Sequence, residues 1–182
     1  MLYIKFNISD KEKFSAFKEV YNHMCDVRRP NYREKNIEID WETATEEEID
    51  NFMDPDWPKV ELFKTLFPEY TNQLLINYFS FDNSNTILIN KDKASLINYL
   101  EYGFEVDLNT LQEVQNNQGI IKISTGNYPF GGLDRFLMTL KSFGLNPFEC
   151  FNGFNVIQFN WITEIEYEAI ILTDKTKMYL NR

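Results

Sequence analysis

A chain of 182 residues with 43% hydrophobic and 16% aromatic residues has enough apolar material to bury a core, which excludes a disordered protein. Its formal charge of -10 and its pI near 4.6 disfavour nucleic acid and anionic membrane surfaces as partners and favour a basic protein. Cys25 and Cys150, no window near the roughly 18 apolar residues of a membrane span, and Lys5 inside the short apolar start lead to the expectation of a cytoplasmic protein with free thiols, no leader and no membrane partner.

In chain order, "LYIKFN" alternates as a strand and Ser9-Asp10-Lys11-Glu12 reads as a capping box opening a helix. Phe14, Phe17, Tyr21 and Met24 form its apolar stripe, and Pro30 bounds it. The basic connector 26–35 leads to "NIEIDW", read as a strand over 36–41 with Ile37, Ile39 and Trp41 on one face. Thr45-Glu46-Glu47-Glu48 is a second capping box, predicting a short acidic helix to about Met53. Pro58 suits a helix start, with Val60, Phe63 and Phe67 as its stripe and Pro68 as its break.

The next segment, "EYTNQLLINYF", is read as a helix, "TILIN" as a short buried strand, and "KDKASLINYLEYG" as a helix closing at Gly103 in a left-handed conformation. A further helix is expected around 107–116, then a strand at "GIIKIS". Leu133, Phe136, Leu137 and Leu140 define an amphipathic helix ending at Gly144, and Asn152-Gly153 marks a hairpin bend between two strands. A last strand at 165–172 and a terminal helical turn complete the chain. The expected class is α+β: a single domain over 1–182 with a mixed or mostly antiparallel sheet, helices packed on it, and a C-terminal strand–helix–hairpin unit. The helix-rich middle, about 45–116, is expected to pack as a sub-layer.

Catalytic residue types are scarce. His23 is the sole histidine, which removes multi-histidine metal sites, and its helical spacing from Cys25 turns the two side chains apart. Asp54 with Asp56, and Glu46 with Asp50, lack the pattern of a calcium loop, so no metal or cofactor is expected. The stretch "STGNYPFGGLDRF" joins a strand to a helix, as phosphate sites do, but Gly126, Gly131 and Gly132 fit no phosphate-binding signature. Asp134 at the helix start would also repel an anion. The stretch is therefore read chiefly as a rigid corner. Tyr128, Phe130, Gly131, Gly132, Asp134 and Arg135 are kept as the candidate site of a small-molecule-binding protein or hydrolytic enzyme.

From Asn36 to Asp56 the chain carries nine carboxylates and no Lys or Arg. Interleaved aromatics supply anchors of the type enriched at binding hot spots, and the charge supplies a field that attracts basic surfaces. The leading expectation is a non-catalytic protein, such as a bacterial immunity or antitoxin-like inhibitor, that binds a basic partner through Trp41, Glu46, Glu47, Glu48, Asp50, Asp54, Asp56 and Trp57. Oligomeric state is left open by the sequence.

Overall fold

A strand that alternates apolar and polar residues has two faces, and when both are half apolar it can sit at the middle of a sheet. β1 (Leu2–Ile8) is such a strand: Ile4, Phe6 and Ile8 are buried on one face, while Tyr3 and Lys5 point to the other. In the computed structural model, which describes residues 1–33, 39–80, 86–114, 117–125 and 132–181, β1 lies third in a six-stranded sheet. The other strands are β2 (Asp107–Val114), β3 (Gln118–Ser124), β4 (Leu145–Phe151), β5 (Val156–Trp161) and β6 (Tyr167–Ile171). Their order is β2-β3-β1-β4-β5-β6, and every neighbouring pair is antiparallel. The fold is α+β, with seven α-helices among the described residues.

The helices divide unequally between the two faces. α1 (Lys11–Val27), α3 (Trp57–Leu66), α4 (Asn72–Phe79), α5 (Asn90–Asn98) and α6 (Asp134–Ser142) pack on the face carrying Ile4, Phe6, Ile121 and Ile123. Their buried residues include the stripe Phe14, Phe17, Tyr21 and Met24 of α1, together with Phe63, Leu75, Leu96 and Phe136. Fully burying each such side chain contributes roughly 2 kcal/mol. Phe104 stacks on Phe136 at 4.5 Å, and Phe17 meets Phe143 edge-on at 5.6 Å. On the opposite face, α7 (Thr173–Leu180) covers a smaller cluster of Tyr3, Phe151 and Val156, with Leu172 and Tyr179 against it. α2 (Glu46–Met53) buries none of its residues.

Several local expectations hold. Thr45 and Glu48 form the reciprocal capping box that opens α2. Gly144 closes α6 at φ 67°, and the hairpin between β4 and β5 turns at Gly153, φ 99°. Asn152 Oδ1 accepts from the backbone N–H groups of Phe154 and Asn155, which fixes that bend.

Other expectations are corrected. The cap of α1 is Asp10, whose Oδ1 accepts from the N–H groups of Glu12 and Lys13; Ser9 instead donates to the Gly144 carbonyl at 3.1 Å. Residues 107–114 are a strand and not a helix. The register with β3 shifts between Leu108 and Thr110, and this irregularity puts Leu108 and Leu111, three apart, on the same core-facing side. That spacing is also the helical one. Asn117 at φ 55° lies in the turn to β3.

The expected buried strand at 86–90 is absent: Leu88 is buried, Ile87 is exposed, and Asn90 already begins α5. Of the strand expected at 36–41, residues 36–38 lie outside the described residues. Asp40 accepts from Glu42 N–H and from the Thr43 hydroxyl, making a turn where a strand was expected. The segment after α5 does end at Gly103, but through a π-helical turn, Tyr99–Gly103, in which Phe104 N–H donates to the Tyr99 carbonyl. Gly103 is not among the glycines with positive φ.

Candidate functional site

Three places are candidates for a site on this side of the sheet and at its ends: the acidic segment read from the sequence, the strand-to-helix corner, and a cleft between α1 and α3 that the sequence did not indicate. In the first, three carboxylates in the opening turn of α2 suit the positive end of the helix dipole, and the Thr45 cap fixes where the helix begins. Its capping hydrogen bonds hold the Glu48 carboxyl below the usual carboxylate range, backbone N–H of Thr45 first. Glu46, Glu47, Glu48, Asp50 and Asp54 are exposed, and Asp56 and Trp57 are half-buried.

Trp41 meets Phe52 edge-on at 5.3 Å yet stays 59% exposed, and Met53 is 71% exposed. Trp57 is covered by Lys64, 4.7 Å from the ring centroid. Trp41 and Met53 are therefore exposed apolar side chains on the same short segment as the acids, while Trp57, the first residue of α3, is half-buried beside Lys64 of the same helix. No three His, Cys, Asp or Glu side chains among the described residues converge as metal ligands would.

At the corner, Tyr128, Phe130 and Gly131 lie outside the described residues. Gly132 has φ 72°, the left-handed conformation expected of a tight corner, and its carbonyl accepts from the Tyr99 hydroxyl at 2.8 Å. Asp134 opens α6 and accepts from the Tyr167 hydroxyl of β6. Arg135 turns the other way. It donates to Ser95 Oγ at 3.2 Å and lies 5.3 Å from the Tyr99 ring centroid and 5.6 Å from that of Phe79. The two charged residues thus serve different contacts, α6 to β6 and α6 to α4 and α5.

The cleft between α1 and α3 has a volume of about 500 Å³. At its floor the Glu101 carboxylate is fully buried, with one oxygen 2.8 Å from His23 Nε2 and the other 2.5 Å from Lys59 Nζ. Glu101 belongs to the π-helical turn, a distortion that widens the helix by one residue. Arg28 anchors that turn by donating to the carbonyls of Met24, Leu100, Phe104 and Val106. A carboxylate in this position fixes the orientation of the imidazole, as general-base arrangements require.

The thiols do not complete such an arrangement. Burial pushes the Cys25 thiol up and pushes Cys150 up to about 12, which keeps both protonated at neutral pH. The sequence clue was available in part: Glu101 stands in the apolar run "LINYLEYGF", where a lone charge implies a partner. That the partner is His23, on a helix 78 residues earlier, was not readable.

Compared with known proteins, the chain matches no family model, no curated protein and no solved structure. Among the described residues no helix is long and apolar enough to cross a membrane.

Proposed function

We propose that this is a non-catalytic protein-binding protein, of the immunity or antitoxin-like inhibitor kind, that engages a basic partner through the acidic segment around α2. The observation that carries this reading is that α2 buries none of its eight residues while Trp41 and Met53 stay exposed on the same segment as its acids. Most helices gain their stability by packing an apolar face on a core, and this one does not. Its charge would accelerate encounter with a cationic surface over about 8 Å at physiological salt, and its aromatic and thioether side chains would set the lifetime of the complex. The alternative site at 124–136 gains no comparable support, because Asp134 and Arg135 are engaged by separate elements.

The test is affinity recovery from the native host using wild type and the variant Glu46→Gln, Glu47→Gln, Glu48→Gln, Asp50→Asn. The glutamine at 48 preserves the capping box, so α2 is retained. A basic protein recovered with wild type and lost with the variant supports the reading. Equal recovery with both would overturn the site.

A further inference from the structure

On the face of the sheet opposite the main core, α7 covers β1, β4 and β5, while β3 lies at the margin of that cover, with Ile120 packed against the cluster and Lys122 half-buried. The step between the helix and β3 forms a cleft of about 600 Å³, within the range of small-molecule sites. Its floor carries Lys122 beside Tyr3, across the register of β3 and β1, and Lys5 beside Glu149, across β1 and β4. α7 contributes Lys175 and Tyr179.

The Glu149 carboxylate, 6% exposed, accepts from Lys5 Nζ at 2.6 Å, Lys175 Nζ at 2.8 Å and the Tyr3 hydroxyl at 3.0 Å. Each ammonium has three N–H donors, so after bonding Glu149 each retains two, held in a fixed direction by a buried acid. Lys122 has no ion-pair partner among the described residues. With Lys5, Lys122 and Lys175 against Glu149 alone, the side chains of the lining carry a net charge of +2 in a chain whose side chains sum to -10. A concave surface of one sign focuses its field on small ions of the other.

We propose that this cleft binds a small organic anion: a carboxylate or phosphate whose charged group is held by Lys122, Lys5 and Lys175 and whose apolar body lies against Tyr3 and Tyr179. Glu149 acts as a positioning residue that aims the two ammonium groups. The site is on the opposite side of the sheet from the helices of the main core, and it does not depend on the protein-binding reading.

Isothermal titration of the full chain with benzoate, phenyl phosphate and inorganic phosphate tests it. At least one is expected to bind saturably at millimolar concentration or tighter, and which one binds separates carboxylate from phosphate chemistry. Lys122→Ala is expected to weaken that binding by about tenfold or more, the loss of a charge-assisted hydrogen bond, while Lys18→Ala on α1 leaves it unchanged. Circular dichroism checks that each variant is folded, and Lys175→Gln serves as the second variant if Lys122→Ala is not. The absence of saturable binding by all three anions overturns the proposal. So does binding equally weakened by Lys18→Ala, or unaffected by both cleft variants.

Discussion

Burial alone would raise the Glu149 carboxyl, but hydrogen bonds from Lys175, Lys5 and Tyr3 outweigh it and hold the group below its ordinary value of 4.5. A carboxyl whose folded pKa is depressed contributes stability above its unfolded pKa and loses it as pH falls through the folded one. Wild type is therefore expected to lose urea resistance as pH falls below about 4.5, and Glu149→Gln is expected to be less stable at neutral pH with a shallower acid slope. Parallel pH profiles of the two slopes would contradict this.

At the same scale, Gly119 sits opposite Phe6, where an added Cβ would lie 2.2 Å from two ring carbons. Gly119→Ala is expected to destabilise by about 1–3 kcal/mol, mostly relieved by Phe6→Leu, as a double-mutant cycle in urea would measure.

Among the elements, α2 and β2 deserve comparison because local sequence described one well and misdescribed the other. α2 is set by its cap and its first-turn acids and buries none of its own residues, so propensity and capping weigh most in it. Thr45→Ala should cost about 1 kcal/mol of that helix, raising amide exchange through 46–53 while the global unfolding midpoint stays nearly constant. A large drop in global stability would mean that α2 is cooperative with the core.

β2 is an edge strand whose irregular register with β3 places Leu108 and Leu111 on one side. No property of residues 107–114 alone distinguishes that from one stripe of a helix. Only the partner strand does.

For the whole molecule, the central strand joins regions far apart in the chain, pairing Leu2 with Ile123 and Ile8 with Leu145. Closing such loops precedes most of the stabilising contacts, so refolding is expected on the millisecond-to-second scale, slower than for helical bundles. Stopped-flow fluorescence of Trp161, whose indole N–H donates to the Pro147 carbonyl, follows assembly of the β4–β5 side. Microsecond refolding would imply that the sheet is not the rate-limiting structure. The nine carboxylates of 36–56 repel one another, so neutralising four of them at α2 should leave the melting temperature unchanged or slightly higher.

Sequence by itself determined the α+β class, the stripe of α1, the capped acidic helix, the β4–β5 bend at Gly153 and the left-handed Gly132 before α6, because each depends on neighbours a few residues away. Tertiary structure alone decided that 107–114 is a strand, that Ser9 ties Gly144 while Asp10 caps α1, and that the sole histidine meets a buried glutamate. It also placed Lys122, Lys5 and Lys175 around one cleft, since β1, β3 and α7 come from separate parts of the chain and meet only across the sheet. Burial makes partners obligatory for the Glu101 and Glu149 carboxylates once the chain is compact, because an unpaired charge away from water costs more than the partner's ordering. Their identities are a property of topology, which local periodicity does not encode.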